Sequence, residues 1–224
     1  MSAEPRLIDV RAPTQPSGVV LVLHGGAARR DDPVVSTAQP SVIRMVPIAR
    51  RIARAGRGRL AVFRVLNSRR GWDDRDTPLQ DVRWALGQVR QRYGDGLPNC
   101  LVGHSLGGRA ALLSGVQAEV RSVVALNPWV YRDDDADLTG RKVLIVHGDA
   151  DRIADPESSA VVARALSRTT DVGYIRVSGG RHAMLRHHSE FDRYATQFAT
   201  ATLLGDPAPG PVGQVLAGEV WVTA

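Results

Sequence analysis

The chain has almost no cysteine and no long apolar run. Of its 224 residues only Cys100 is a cysteine, so no disulfide can form within the chain and no cysteine cluster is available for a metal ion. No apolar run approaches the ~20 residues of a membrane-spanning helix. The first ten residues, MSAEPRLIDV, lack the basic and apolar regions of a secretory signal peptide. These absences favour a cytoplasmic protein without a membrane span or a metal site.

Lysine is nearly absent as well, and the positive charge comes from arginine. Lys142 is the only lysine, the formal net charge is +6 and the isoelectric point is about 10.3. A basic chain raises the question of nucleic-acid binding. The arginines, however, are spread over nearly every segment, and the densest run, RRIARAGRGR (50–59), is typical of the solvated face and end of a helix. We therefore expect no nucleic-acid partner.

Short apolar segments alternate with segments of helical periodicity. Continuous apolar segments are typical of strands buried on both faces of a parallel sheet. The alternation predicts an α/β fold, with a mostly parallel sheet of about seven strands and helices on both faces. The predicted strands cover 19–23, 60–65, 100–103, 123–126, 143–146 and 172–177, with a shorter edge strand near 6–11. The predicted helices include one with Val42, Val46, Ala49 and Ala53 on one face, one over 79–93, and two near 157–168 and 189–203.

The predicted domain covers residues 1–204. A segment rich in proline and glycine, GDPAPGP, follows at 205–211 and indicates a linker. Residues 205–224 then form a linker and C-terminal tail, which could be an edge strand, a docking arm or a disordered segment. The tail could mediate a dimer, so the chain is expected to be a monomer or a homodimer.

Chemically useful residues follow four of the predicted strands, at the sheet edge where open α/β proteins bind ligands. One of these segments carries a serine, one an aspartate and one a histidine, and the fourth carries a glycine pair suited to presenting backbone N–H groups. A serine hydroxyl needs a base to become a nucleophile, histidine can be that base, and a carboxylate can orient the imidazole. The segments are HGGAARRDD (24–32), GHSLGG (103–108), HGDADRIADP (147–156) and SGGRHAML (178–185).

Residues 103–107, Gly-His-Ser-Leu-Gly, match the G-x-S-x-G nucleophile elbow, and the chain resembles the α/β-hydrolase family over about residues 6–203. The resemblance is to its uncapped serine esterases, lysophospholipases and dienelactone-hydrolase-like members. It implies that Ser105 is the nucleophile, His182 the general base and Asp151 the acid that orients it. It also implies an oxyanion hole made by the backbone N–H groups of Leu106 and Gly26, or of the next residue, and it implies no cofactor.

Other residues compete for these roles. The segment 147–156 also contains Asp149, which suits a turn, and Asp155, which precedes a proline and suits a helix N-cap. The family's H-G-x-x-D spacing selects Asp151. His187 and His188 are rivals of His182 but are expected at a solvated helix start. The remaining histidines, His24, His104 and His147, are interpreted as structural.

The substrate site is expected to be open. The connection 127–142 is too short for a helical cap. Ala27, Trp72, Trp129 and Met184 are candidate substrate-binding residues, which with Leu106 would give an apolar wall. Such a groove suits a small-molecule acyl ester or thioester.

The predicted activity is cleavage of carboxylic esters through an acyl-enzyme intermediate. A thioesterase or lysophospholipase would use the same machinery. An acyltransferase, a haloperoxidase-like enzyme or a non-catalytic binding module on this fold are further alternatives. Arg29, Arg30, Arg69 and Arg70 could recognise an anionic substrate or form a solvated basic rim.

Overall fold

A single eight-stranded sheet organises the protein in the computed structural model, which describes residues 4–27, 34–73 and 76–224. The strands are β1 (Arg6–Arg11), β2 (Gly18–Leu23), β3 (Leu60–Leu66), β4 (Asn99–His104), β5 (Val120–Leu126), β6 (Lys142–Gly148), β7 (Asp171–Val177) and β8 (Trp221–Thr223). The helices are α1 (Pro40–Ala55), α2 (Thr77–Tyr93), α3 (Leu106–Ser114), α4 (Pro156–Leu166), α5 (His188–Leu204) and α6 (Pro211–Leu216).

The strand order is β1-β3-β2-β4-β5-β6-β7-β8. Only β1 is antiparallel, pairing with β3, and the other neighbours are parallel. Most parallel neighbours are joined through a helix that covers one face of the sheet, so the central strands are apolar throughout. Every residue of β2 and β4 is buried. The carboxyl ends of β2, β4, β5, β6 and β7 therefore lie side by side at one edge.

Helices cover both faces of the sheet and create two cores. Helices α2, α3 and α4 pack on one face through residues such as Val82, Ala111 and Val162. Helices α1, α5 and α6 pack on the other, where Phe191 and Phe198 are almost completely buried. The predicted α/β class, the parallel strands and the helices on both faces are confirmed.

Two details differ from the sequence interpretation. The buried stripe of α1 contains Met45, Ile48 and Ile52, whereas Val46 and Ala53 are only partly buried. The sheet has eight strands instead of about seven, because residues 205–224 add α6 and the edge strand β8, which pairs with β7. None of the described helices is long and apolar enough to cross a membrane.

Candidate active site

Ser105 occupies a sharp turn between β4 and α3. Its backbone has a positive φ of 57° with ψ −123°, a combination that residues other than glycine rarely adopt. A Cβ on Gly103 would overlap the carbonyl oxygen of Gly107, and a Cβ on Gly107 would lie 2.6 Å from that of Leu23. The glycines at these two positions are thus required by close backbone approach, which is the geometry expected of a nucleophile elbow.

The elbow is also held from β5. The N–H of Ser105 donates to the Leu126 carbonyl at 3.1 Å, and the N–H of Trp129 donates back to the Ser105 carbonyl at 3.1 Å. Residues at and just after the end of β5 therefore hold both the N–H and the carbonyl of Ser105 in place.

The three side chains predicted to act together do come together. The Ser105 hydroxyl lies 3.0 Å from Nε2 of His182, and Nδ1 of His182 lies 2.8 Å from Oδ2 of Asp151. The resulting chain of hydrogen bonds runs from β4 to the loop after β7 and back to the loop after β6. Ser105 is 9% exposed, so its hydroxyl lies just below the surface.

Asp151 is held as an anion. Its Oδ1 accepts from the N–H groups of Ile153 at 2.8 Å and Ala154 at 3.1 Å. Burial acts to raise the pKa of Asp151, but hydrogen bonding from His147, His182 and the Ile153 N–H outweighs it and holds the pKa well below its usual range. The carboxylate is thus a fixed negative charge behind the imidazole.

The main chain of His182 is clamped by two residues that the sequence analysis did not assign to the site. Nε2 of His104 lies 2.8 Å from the His182 carbonyl oxygen and donates to it. The side-chain amide of Asn127 donates to the carbonyls of Arg181 and His182, both at 3.1 Å, while its oxygen accepts from the Gly148 N–H at 2.8 Å. Asn127 directly follows β5, so the rule of inspecting each strand end would have found it.

His104 is a neutral donor. Burial lowers its pKa to about 3, and the nearby His182 acts in the same direction. Its ring centroid lies 5.0 Å from that of His182. The sequence interpretation of His104 as structural agrees with this position beneath the site.

The His24-Gly25-Gly26 segment lies directly against the elbow. A Cβ on Gly25 would lie 2.8 Å from Cβ of Ser105. Nδ1 of His24 donates to the Gly25 carbonyl at 2.6 Å, and its Nε2 accepts from the Asn67 N–H at 3.1 Å. Since a trans peptide directs its C=O and N–H oppositely, this bond turns the Gly26 N–H away from His24. The pKa of His24 is lowered, chiefly by burial, so this ring too is neutral.

The N–H of Leu106 belongs to the first turn of α3. N–H groups there have no partner within their own helix, and the helix dipole favours negative charge beside them. Leu106 directly follows Ser105, and Gly26 directly follows Gly25, whose Cβ position lies 2.8 Å from Cβ of Ser105. These are the two residues to which the resemblance assigns an oxyanion hole.

Two of the predicted wall residues belong to one stacked cluster. The Arg109 guanidinium lies 4.1 Å from the ring centre of Trp72 and 4.6 Å from that of Tyr131, and it forms a two-pronged ion pair with Asp134 at 2.7 and 2.8 Å. Trp129 packs edge-on against Tyr131 with ring centres 5.0 Å apart. This cluster fixes the connection 127–142, which contains no helix, to the first turns of α3.

The other predicted contact residues are placed differently. Ala27 is exposed beside the glycine segment. Met184 is 1% exposed and packs in the core under the histidine loop, so its side chain does not face the open side of the site. Arg70 donates to the Val34 carbonyl at 2.9 Å and Arg69 is exposed. Arg29 and Arg30 lie outside the described residues.

The rival residues have other partners. Asp149 accepts from the Gly179 N–H at 2.7 Å. Asp155 caps α4 by accepting from the N–H groups of its first turn, as predicted. Nδ1 of His187 pairs with Glu190 at 2.7 Å at the start of α5. Over the described ranges, no group of three or more histidine, cysteine or acidic residues is arranged to hold a metal ion.

The same architecture occurs in solved structures. No protein-family model and no curated protein matches the sequence. An α/β serine hydrolase without a lid, XC6422 from Xanthomonas campestris, is 19% identical, with a TM-score of 0.67 over 92% of this chain and 98% of that one. The esterase domain of a Rhodothermus marinus protein is 18% identical, with a TM-score of 0.62 over 89% and 91%. Est1E from Butyrivibrio proteoclasticus is 14% identical, with a TM-score of 0.64 over 90% and 94%.

This chain therefore has the α/β-hydrolase fold, without a helical cap in the connection 127–142.

Proposed function

We propose that the protein is a serine hydrolase that cleaves carboxylic esters through Ser105, His182 and Asp151. The observation that carries the proposal is the unbroken hydrogen-bond chain between them, 3.0 Å and 2.8 Å long, on an elbow with a positive φ. The solved structures with this fold include proteins described as esterases, which supports an ester as the substrate class.

In the proposed reaction His182 removes the proton of the Ser105 hydroxyl as the oxygen attacks the ester carbonyl carbon. Asp151 keeps the proton of the imidazole on Nδ1, so that Nε2 is free to accept. The imidazolium then protonates the leaving alcohol as the C–O bond breaks, leaving an acyl group on Ser105. A water molecule, deprotonated by His182, then attacks the acyl carbon. The bond to the Ser105 oxygen breaks, His182 returns the proton to that oxygen, and the carboxylic acid leaves.

The negative charge on the carbonyl oxygen is taken up by the N–H groups of Leu106 and Gly26. Removal of one such donor typically costs about 2.7–4 kcal/mol of transition-state stabilisation. Support comes from the contact of Gly25 with Ser105 and from the hydrogen bond of His24 to Gly25, which turns the next N–H away from the histidine.

In this proposal Trp72 and Trp129 form the acyl-binding side of the site and Ala27 the glycine-loop side. The connection 127–142 contains no helix that could cover a groove between them. An open, partly apolar groove suits small acyl esters better than folded proteins, since only a short apolar stretch is available to contact the substrate.

Labelling with a fluorophosphonate and turnover of p-nitrophenyl esters of increasing acyl length test the proposal. The wild-type protein should be labelled by the fluorophosphonate and should hydrolyse the esters, and Ser105→Ala should do neither. Ser178→Ala is the matched control, because Ser178 is exposed at the same edge of the sheet. Equal labelling of wild type and Ser105→Ala, or negligible turnover across the whole ester series, would contradict the proposal.

A further inference from the structure

The Asp151 carboxylate lies between two histidine rings. Its Oδ2 is 2.8 Å from Nδ1 of His182 and 3.4 Å from Nε2 of His147, while its Oδ1 is occupied by two main-chain N–H groups. The side chains of both Asp151 and His147 are completely buried. The ester-cleaving chemistry proposed above uses only one of these histidines.

The neighbours of the His147 ring determine which of its two nitrogens carries a hydrogen. Nε2 lies near two acceptors, Oδ2 of Asp151 and the Ala154 carbonyl at 3.3 Å, so it carries a hydrogen. Nδ1 lies 2.7 Å from the Ser159 hydroxyl, whose oxygen is also 3.1 Å from the Tyr174 hydroxyl. The Ser159 hydroxyl, which also lies 2.8 Å from the Pro156 carbonyl oxygen, can donate to Nδ1, and the ring hydrogen is then on Nε2. His147 therefore carries its N–H on the ring edge that faces both the Ala154 carbonyl and Oδ2 of Asp151.

We propose that His147 is a positioning residue for the catalytic carboxylate, and that Ser159 and Tyr174 fix the orientation of its ring. The inference rests on the proposed function of Ser105, His182 and Asp151. Its geometric basis is a continuous buried chain from Tyr174 on β7, through Ser159 on α4 and His147 on β6, to Asp151. Outer-layer partners of this kind orient a functional side chain and tune its charge.

The expected chemical effect is on the basicity of the pair formed by Asp151 and His182. The Nε2–H group of His147, which donates to the Ala154 carbonyl and lies 3.4 Å from Oδ2, offsets part of the negative charge that would otherwise stabilise the protonated imidazole of His182. Without this donor the carboxylate stabilises imidazolium more strongly, and His182 keeps its proton to higher pH. The acid limb of the kcat/KM profile should therefore move upward when His147 loses its N–H.

Few ionisable groups surround His147 within the described part of the chain. Asp151 lies on the loop that follows His147, His182 on the loop after β7, and Tyr174 and Arg176 on β7, where Arg176 is the register partner of His147. Helix α4 contributes the uncharged Ser159. Burial raises the pKa of Tyr174, on which Asp155, Glu157 and Arg176 also act from the surface, so the phenol stays protonated.

Two substitutions of His147 test the inference. His147→Leu removes the N–H and keeps an apolar side chain, while His147→Gln places an amide N–H near the position of Nε2. With a p-nitrophenyl ester, His147→Leu should lower kcat at least about tenfold with KM nearly unchanged and raise the acid-limb midpoint by about half a pH unit. His147→Gln should recover most of both changes.

A matched pair of serine variants separates positioning from stability. Ser159→Ala and Ser122→Ala each delete a fully buried hydroxyl that bonds another hydroxyl, but Ser122 lies toward the opposite end of the sheet and contacts Thr202. Only Ser159→Ala should lower kcat and move the acid limb. If His147→Leu is too unstable to purify, the comparison of Ser159→Ala with Ser122→Ala tests the inference in its place. The inference would be overturned if the His147 and Ser159 variants were less stable than the wild type but kept its kcat and its acid-limb midpoint.

A readout that needs no turnover keeps the inference separate from the proposed function. The low-field NMR resonance of the hydrogen between His182 and Asp151 can be followed against pH in the wild type and in His147→Leu. The midpoint should rise in the variant even if no ester is cleaved, and an unchanged midpoint would overturn the role of His147. Failure of Ser105 to label would instead count against the proposed function alone.

Discussion

The side-chain amide of Asn127 donates to the main-chain carbonyl of His182 across 55 positions of sequence. Asn127 is fully buried and has a positive φ of 41°. Its amide oxygen holds the Gly148 N–H, so one side chain joins the end of β5 to the loops that carry Asp151 and His182. The alignment of these loops thus depends on a residue without a chemical role in the proposed reaction.

Replacing Asn127 with glycine should preserve the left-handed backbone and remove only the clamp. We expect kcat to fall at least about tenfold with little change in KM, and the free energy of unfolding to fall by about 1–3 kcal/mol, since buried polar groups lose their partner. Kinetics and urea unfolding measure the two effects. Asn99→Ala removes another buried amide, which donates to the Leu97 carbonyl at the opposite edge of the sheet. This variant should lower the free energy of unfolding and leave kcat unchanged. Equal kcat in both variants would contradict the clamp.

Replacing Asp151 with asparagine should lower kcat by about 10⁴-fold, because the imidazole would lose its orienting carboxylate. Asp149→Asn changes the same functional group two residues away. It should matter far less, because the Asp149 side chain accepts only from the Gly179 N–H among the described hydrogen bonds. Steady-state kinetics with one ester compares them, and the reverse order of the two losses would move the acid assignment to Asp149.

The elbow glycines should not tolerate a side chain. A Cβ on Gly107 would meet main-chain oxygens of Leu23 and His24 at 2.6 and 2.7 Å, so Gly107→Ala should destabilise the protein by several kcal/mol or prevent folding. A Cβ on Gly87, inside α2, would meet nothing within 4 Å. Gly87→Ala should therefore raise the free energy of unfolding by roughly 0.5–1 kcal/mol. Thermal and urea unfolding measure both changes in stability. A Gly107→Ala variant as stable as the wild type, or a destabilised Gly87→Ala variant, would contradict this prediction.

Stability should decrease in mild acid because of His104. Its pKa is about 3 in the folded protein, against ~6.5 for a free histidine. The unfolded chain therefore takes up the proton first, and stability is lost as the pH falls from about 6.5 toward 3, with a slope of up to about 1.4 kcal/mol per pH unit. The lowered pKa of His24 acts in the same direction. Asp151, whose pKa is lowered in the folded protein, adds to the loss only at the acid end of this window, below its unfolded pKa of about 3.9.

His104→Gln keeps a donor for the His182 carbonyl and removes the titrating ring. Urea unfolding at several pH values between about 7 and 4 should show a shallower slope than in the wild type. Ser122→Ala provides a comparison in which stability is lower at every pH but the slope is unchanged. Parallel slopes for wild type and His104→Gln would refute this account.

The stacked cluster around Arg109 should hold the connection 127–142 in place. Arg109→Lys keeps the charge but loses the two-pronged bond to Asp134 and the flat contacts with Trp72 and Tyr131. We expect a higher KM for acyl esters and faster proteolysis within 127–142. Arg164→Lys alters an exposed arginine that also pairs with a carboxylate and lies over an aromatic ring, and it should change neither. Indistinguishable KM values would contradict the role of Arg109.

Uninterrupted apolar runs made the central strands predictable, because only strands buried on both faces need them. The face of α1 was less predictable: apolar residues such as Ile43, Met45, Val46 and Ile48 point in several directions, and packing against the sheet selects among them. Ser105 could be found because glycines surround it. Ser159 and Tyr174 give no local signal, since their polar contacts form only when α4 and β7 pack beside β6.

The strand order has a consequence for how this fold can change. The strand β5 carries none of the three proposed reacting groups, yet it separates β4, which leads to Ser105, from β6, which leads to Asp151. Neighbouring strands lie about 4.8 Å apart, so two steps of the sheet, roughly 10 Å, set the span that the imidazole of His182 bridges. That span is fixed by the width of a strand and not by the length of any loop. The connection 127–142 can therefore lengthen, even into a lid, without altering the distances between the reacting atoms.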